Sequence, residues 1–164
     1  MFLWPAFICV ISGWIPVFNV VLVEPEIPPN TGNIGRLCLA TGSTLHLVRP
    51  LGFAIDDRTL RRAGLDYWKE VDVRFWDSLG ELEAAQEPTA RFFYLTTKAK
   101  RVYHSIAFDP GDFLVFGRET KGLPEPLLQA HPECLLTIPM HGTRSLNLAT
   151  AVAIVLFEAV RQQA

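Results

Sequence analysis

Beyond residue 17, short runs of β-branched and aromatic residues alternate with segments of helical periodicity. The runs predict six strands: Phe18–Val23, Thr44–Val48, Val71–Phe75, Phe92–Leu95, Phe113–Phe116 and Leu135–Ile138. Alternation of strands and helices is typical of α/β domains with a mostly parallel sheet. We therefore expect one such sheet, flanked by helices.

Capping residues indicate where the helices begin and end. Asn30 or Thr31 is expected to cap a helix that Gly42 ends. Four more helices are predicted: from Asp56 or Asp57 through Arg62, over Leu82–Gln86 after a capping box at Ser78 and Glu81, over Glu125–Ala130, and over about Asn147–Arg161. The last helix is apolar almost all round, so several of its sides must be buried, and we favour a dimer interface.

The first 17 residues form an apolar segment unlike the rest of the chain. It has no Lys or Arg, it contains Pro5 and Pro16, and it is shorter than the roughly 20 residues that a membrane helix needs. We interpret residues 1–17 as an extension that is not part of the fold and residues 18–164 as one domain. A membrane anchor is the less favoured alternative.

Composition narrows the function classes. The 164 residues, 49% hydrophobic and 20% charged, suit one folded domain. A net charge of -2 excludes a strongly basic nucleic-acid coat, so any RNA contact must be local. The three cysteines are odd in number and lack C-x-x-C spacing, which indicates neither disulfides nor a zinc site. We expect a reducing compartment, the cytoplasm, and no bound metal.

Unusual residues follow three of the predicted strands. Leu95, Thr96 and Thr97 end the fourth strand, a loop with Gly117 and Gly122 follows the fifth, and residues 139–147 follow the sixth. Open α/β sheets bind ligands beyond the carboxyl ends of their strands, and glycine permits close backbone approach. These three loops together predict a ligand site, although ordinary turn and cap chemistry is the alternative for any one of them.

The segment Asn30–Arg36 places amides and one cation near a predicted helix start, which is typical of a phosphate site. It is neither a Walker loop nor a G-x-G-x-x-G fingerprint. No Ser-His-Asp set is visible. His141 lies in the last glycine loop and is the one histidine with a plausible substrate contact.

Three ordered motifs resemble those of SPOUT RNA methyltransferases: residues 30–36 (NTGNIGR), 116–124 (FGRETKGLP), and 138–140 (IPM) with 144–148 (RSLNL). Residues 24–29 (EPEIPP) and 60–67 (LRRAGLDY) are similar to the branch that methylates the ribose 2′-hydroxyl of cytidine or uridine 34 in tRNA. The resemblance covers about Phe18 to Arg161. It implies an α/β-knot fold with a deep C-terminal trefoil knot and an obligate antiparallel homodimer through the C-terminal helix.

The resemblance also implies S-adenosylmethionine as methyl donor and S-adenosylhomocysteine as product. Leu95, Gly117, Ile138 and Ser145 match cofactor-binding positions of the family. Their neighbours in the same loops complete the expected cofactor set: Thr96, Gly122, Met140 and Leu146.

The expected catalytic set is Arg36, Asn30, Glu119, Ser145 and Asn147. A guanidinium holds its proton too strongly for ordinary base work, so we interpret Arg36 as a clamp on phosphate that also orients the ribose, and the base stays open. Asn30 is expected to position Arg36 or the hydroxyl. Glu119 is expected to fix either the cofactor loop or Arg36.

RNA contacts are expected from cations near these motifs: Arg36, Arg58, Arg61, Arg62 and Lys98. An exposed single-stranded nucleotide suits a minimal enzyme that reads shape and loop. The alternatives are methyl transfer to another tRNA or rRNA site, a non-catalytic RNA-binding dimer of the same fold, and a small-molecule α/β enzyme.

Overall fold

In the computed structural model, residues 18–54 and 66–163 are described. Within them, six parallel strands form one sheet: β1 Asn19–Val23, β2 Thr44–Val48, β3 Val73–Trp76, β4 Phe92–Leu95, β5 Phe113–Phe116 and β6 Leu135–Leu136. The strand order is β3-β2-β1-β5-β4-β6. The sheet confirms the predicted parallel α/β fold.

Helices cover both faces of the sheet. They are α1 Pro28–Thr41, α2 Leu79–Ala84, α3 Glu125–Ala130 and α4 Leu148–Arg161. Apolar side chains of α1 and α4 share one core cluster with Val20, Leu22 and Leu114 of the sheet. Leu82 of α2 and Leu128 of α3 pack with the opposite face. Burial on both faces explains why β1 and β5, inside the sheet, are nearly continuous hydrophobic runs rather than alternating ones.

The predicted cap of α1 is wrong. The helix begins at Pro28, with Ile27 as its N-cap, so Asn30 and Thr31 lie inside its first turn. Pro28 and Pro29 have no N–H to leave unpaired and their backbone is already restricted to helical φ, which removes the need for a side-chain cap. The amides of Asn30 and Thr31 both donate to the Ile27 carbonyl, at 3.1 and 3.3 Å. The predicted end is confirmed, since Gly42 closes the helix with a φ of 63°.

Other boundaries shift by a few residues. β3 begins at Val73 rather than Val71, because the Val71 amide donates to the Trp68 carbonyl and ends a 3₁₀ turn over Asp66–Glu70. β6 stops at Leu136, after which Thr137 bridges to Val102. Further bounds also differ from the predictions: β1 begins at Asn19 and β3 ends at Trp76. The helix α2 covers Leu79–Ala84 and α4 begins at Leu148, with Ser78 and Asn147 as their N-caps.

A polar chain of hydrogen bonds crosses the middle of the sheet. The Trp76 indole N–H donates to His46 Nδ1 at 3.0 Å, which leaves the proton of a neutral ring on Nε2, 3.0 Å from Asn19 Oδ1. The Asn19 amide in turn donates to the Gly111 carbonyl at 2.9 Å. Burial lowers the pKa of His46 to about 4, with a smaller contribution from Arg74. His46 is therefore a neutral structural residue.

Some predictions fall outside the described residues: the extension over residues 1–17 and the short helix from Asp56 or Asp57 to Arg62. The trefoil knot stays a prediction, because strand order and pairing do not decide it. Across residues 18–54 and 66–163, no helix is long and apolar enough to cross a membrane.

Candidate functional site

A cavity of about 690 Å³ lies beyond the carboxyl ends of β4, β5 and β6. Its volume is in the range of small-ligand sites. The predicted site residues that line it are Asn30, Leu95, Thr96, Lys98, Gly117, Glu119, Gly122, Ile138, Met140, Ser145, Leu146 and Asn147. The structure thus brings together the three strand-end loops and the first turn of α1.

The loop after β5 folds back so tightly that it needs glycine at its start. A Cβ on Gly117 would lie 2.1 Å from the Gly122 carbonyl carbon and 2.2 Å from the Leu123 nitrogen, both of them backbone atoms. Gly122 has a φ of 65°, and its N–H donates to the Arg118 carbonyl at 2.9 Å. Close packing of the Gly117 backbone against the Gly122–Leu123 backbone therefore shapes this side of the cavity.

A chain of side-chain amides and one carboxylate connects the three elements around the cavity mouth. Asn147 caps α4 by accepting from the Ala149 amide at 2.9 Å, so its NH₂ group is the donor to Asn30 Oδ1, also at 2.9 Å. Asn30 Nδ2 then donates to Glu119 Oε1 at 3.1 Å. Asn30 is buried, which fixes its orientation. Each of these three predicted residues thereby orients the next.

Glu119 also holds the loop between β1 and α1. Its carboxylate accepts from the Glu26 amide at 2.8 Å and from the Ile27 amide at 3.2 Å. Of the two roles expected for Glu119, these contacts support fixing a loop and not contacting Arg36.

Glu26 and Thr120 are site residues that sequence reasoning missed. The Glu26 carboxylate accepts from the Thr120 N–H at 3.0 Å and from its hydroxyl at 2.8 Å, which makes the connection between the two loops reciprocal. Arg118 pairs with Glu24, whose φ of 52° is unusual for a residue other than glycine. The EPEIPP motif was the available signal, but it carried no indication of a partner 94 positions away.

Arg36 is the one residue of the predicted catalytic and cofactor sets that lies outside the cavity. It does not line the cavity, and it is exposed. It lies six positions after Asn30, which turns it about 120° around α1 and moves it about 9 Å along the axis. Its guanidinium carbon instead lies 4.5 Å from the centre of the Tyr67 ring. The clamp role of Arg36 therefore has no support from the cavity of the same chain.

Comparison with known proteins identifies this arrangement. The model of the SpoU rRNA Methylase family matches residues 17–157. The chain belongs to the SpoU methylase family. A tRNA (cytidine(34)-2′-O)-methyltransferase of Burkholderia pseudomallei (strain 1106a) is 52% identical over 151 residues, which cover 89% of this chain and 96% of the relative.

Two solved structures resemble this SpoU methylase. One, described as structural insights into the 2-OH methylation of C/U34 on tRNA, has a TM-score of 0.85 and 45% identity and covers 90% of this chain and 97% of that one. The other, an AdoMet-bound rRNA methyltransferase from Sinorhizobium meliloti, has a TM-score of 0.78 and 26% identity and covers 90% of this chain and 57% of that one. The chain is thus a methyltransferase that uses S-adenosylmethionine.

The cavity of this SpoU methylase fits that donor. Leu95, Ile138 and Leu146 give the cavity apolar walls that an adenosine would fit, and Gly117 and Gly122 carry no side chain that would fill it. A sulfonium loses its charge on transfer, so apolar and backbone walls suit it better than a ring of fixed anions. The roles of the individual residues stay predictions.

The remaining predicted residues occupy mixed positions. Lys98 lines the cavity and pairs with Glu125, Ser145 lines it and is exposed, and His141 is exposed without lining it. The predicted RNA contacts Arg58, Arg61 and Arg62 lie outside the described residues.

Burial raises the pKa of the Cys38 thiol to about 12, so Cys38 is not a nucleophile. Over the described ranges, no three His, Cys, Asp or Glu side chains form a group that could hold a metal ion.

Proposed function

We propose that this SpoU methylase transfers a methyl group from S-adenosylmethionine to the ribose 2′-hydroxyl of the wobble nucleotide, cytidine or uridine 34, of tRNA. The observation that carries the proposal is the coincidence of the predicted motif residues with one strand-end cavity, together with about half-identical relatives named for this reaction. A tRNA substrate and the free thiols of Cys38 and Cys134 support a cytoplasmic location.

When bound, S-adenosylmethionine supplies an electrophilic methyl on sulfur. The chain's own contribution is positioning, because an in-line displacement needs the attacking oxygen, carbon and sulfur nearly collinear. We propose that Leu95, Thr96, Gly117, Gly122, Ile138, Met140, Ser145 and Leu146 bind the cofactor, largely through backbone. Glu119, Asn30 and Asn147 hold the loops that form the mouth of the cavity.

Arg36 is proposed to clamp an RNA phosphate and orient the ribose. Its planar donors match phosphate oxygens, and its charge needs no proton transfer. Lys98, Arg58, Arg61 and Arg62 are proposed to contact the anticodon arm.

We further propose a homodimer in which α4 lies at the interface. Phe157 of α4 is 47% exposed, and Ile27 before α1 and Leu39 of α1 are 42% and 36% exposed. Because α1 and α4 contribute to one core cluster, a second copy that packs against both helices would cover Phe157 and Leu39. Arg36 lies one turn before Leu39 and would therefore border the second copy. In such a dimer, Arg36 of one chain would reach the cavity of the other.

Labelled methyl transfer to total tRNA tests the activity. The proposal expects label in tRNA and loss of that label after ribonuclease treatment of the substrate. Binding of tRNA without label transfer would leave a non-catalytic RNA-binding dimer instead. Turnover that ribonuclease does not affect would indicate a small-molecule enzyme.

Sedimentation tests the dimer. We expect a single species of twice the chain mass and its dissociation or unfolding in Phe157→Glu. A folded wild-type species at 18.4 kDa would contradict the dimer.

A further inference from the structure

The 3₁₀ turn over Asp66–Glu70 packs against α1 between Gly32 and Arg36. The Tyr67 hydroxyl donates to the Gly32 carbonyl at 2.9 Å. A Cβ on Gly35 would lie 2.7 Å from Trp68 Cζ3, so the absence of a side chain at position 35 lets the Trp68 ring approach the helix. Tyr67 and Trp68 both pack against the main core cluster, which fixes the turn to the body of the protein.

Tyr67 spans one turn of α1. Gly32 and Arg36 are four residues apart and therefore lie on the same face of the helix. The ring is tied at its hydroxyl end to Gly32, and its face carries the Arg36 guanidinium at 4.5 Å. A guanidinium at this distance is attracted by the negative face of the ring.

The five N–H donors of a guanidinium lie in its plane, so a ring contact made through the face of the group leaves those donors free to bind phosphate. An exposed arginine otherwise samples many rotamers, and binding must fix one of them. A ring that already restricts the side chain lowers this entropic cost and sets the direction of the donors.

We propose that Tyr67 is a positioning residue, whose ring holds the Arg36 guanidinium in the orientation that clamps phosphate and ribose of the RNA substrate. The inference rests on the proposed function, in which Arg36 contacts RNA. It gives the LRRAGLDY motif a physical role: its last residue preorganises the arginine of the first motif.

A double-mutant cycle on tRNA affinity tests the coupling. Tyr67→Leu removes the ring and is expected to weaken tRNA binding and lower kcat about 2- to 30-fold, the range of a cation–π contact. In the Arg36→Ala background the same change should alter tRNA affinity less than about 2-fold, because the ring then has no cation to hold. The affinity for S-adenosylmethionine should stay within about 2-fold in all variants.

Tyr103→Leu is the matched control. Tyr103 also lies in a 3₁₀ turn, is half-buried and packs on the same core cluster, but it contacts His104 rather than an arginine. Its loss should lower thermal stability about as much as Tyr67→Leu while leaving tRNA affinity unchanged. Equal losses of tRNA affinity in both variants would assign Tyr67 a merely structural role and overturn the proposal.

Fluorination of the ring provides a test that preserves shape. Tyr67→Phe should retain most of the tRNA affinity, and progressive fluorination of that phenylalanine should reduce the affinity stepwise, since fluorine weakens the negative ring face. No change along the series would contradict the cation–π role. The binding cycle decides the inference even where the wild-type chain transfers no methyl, so its failure is separable from failure of the proposed function.

Discussion

The cofactor cavity and the outer face of α1 carry residues of one proposed reaction, yet they are built differently. At the cavity, loops far apart in the chain are joined by reciprocal hydrogen bonds, since Glu119 accepts from the Glu26 amide and the Glu26 carboxylate accepts from Thr120. The loop that follows Gly117 also packs backbone against backbone. On the outer face, Arg36 is exposed and rests on one aromatic ring.

In the proposed function, loops of one chain would form the cofactor side of the site, whereas the RNA side would depend on Arg36, which lies outside the cavity. Many fixed backbone contacts suit a ligand that never varies. One restrained but exposed cation suits a large substrate that must enter, be oriented and leave. The two regions should therefore respond to different substitutions.

The largest expected effect falls on the cavity. Gly117→Ala forces a Cβ against the Gly122 backbone, where nothing can yield cheaply, and should lower the affinity for S-adenosylmethionine at least about 100-fold. Calorimetric titration measures this. Gly80→Ala is the control, since a Cβ there would meet no atom closer than 4.0 Å. Unchanged affinity in Gly117→Ala would mean that the cofactor does not use this wall.

Arg36→Ala should separate the two regions. Loss of the clamp misplaces the ribose and should lower the transfer rate about 100-fold, while cofactor affinity stays within about 2-fold. Single-turnover kinetics and calorimetry together measure the two quantities. Arg74→Ala, an exposed arginine on the β3 edge strand, controls for loss of charge. Wild-type transfer by Arg36→Ala would remove the clamp from the account.

Glu119→Gln should have a smaller effect on transfer, about 10-fold. The carboxylate accepts three hydrogen bonds, and an amide in its place must direct an NH₂ group at an N–H donor, which loses at least one of them. Steady-state kinetics with tRNA measure the loss. Glu87→Gln, an exposed acid with no described role, should behave as wild type. Equal activity of both variants would show that methyl transfer does not depend on the hydrogen bonds between Glu119 and the loop that joins β1 to α1.

Several features could be read from the sequence because local chemistry decides them. Gly42, the strand β2 and the Ser78 cap follow from residue type and hydrophobic runs alone. The start of α1 was misjudged because two prolines outweigh a good capping side chain. Val71 resembles a strand residue because it is apolar and β-branched, but its amide donates to the Trp68 carbonyl in a 3₁₀ turn while its side chain packs in the main core cluster.

The location of Arg36 could not be read in the same way. Its motif is contiguous in sequence with Asn30, and only helical geometry shows that the two side chains point to different sides of α1. The pairs Glu26–Thr120 and Asn30–Asn147 join positions about a hundred residues apart, and no local pattern encodes such contacts. Residue composition and motif spacing therefore identify the loops of the site, but only the three-dimensional structure shows which residues of those loops are hydrogen-bonded to each other.

The smallest effect on activity is expected from His46, which lies within the sheet and contributes to the pH dependence of stability. The pKa of His46 is about 4 in the folded chain and about 6.5 when exposed, so the unfolded chain binds the proton more readily. This contribution to stability is complete above about pH 6.5 and is lost as the pH falls towards 4. We expect it to cost about 2 kcal/mol between about pH 7.5 and pH 5.

Urea unfolding at several pH values measures this dependence, with His46→Gln as the control that cannot titrate. The variant should show a flatter pH dependence over the same interval. Identical slopes would mean that His46 does not contribute. Activity ratios among the variants above should not change with this pH step, because His46 lies within the sheet and away from both regions.

Mass spectrometry of nuclease-digested tRNA after reaction with the wild-type chain tests the central claim most directly. The account predicts one added methyl on the ribose of nucleotide 34, dependent on S-adenosylmethionine and lost in Arg36→Ala. A methyl on a base, or on the ribose of any other nucleotide, would contradict it.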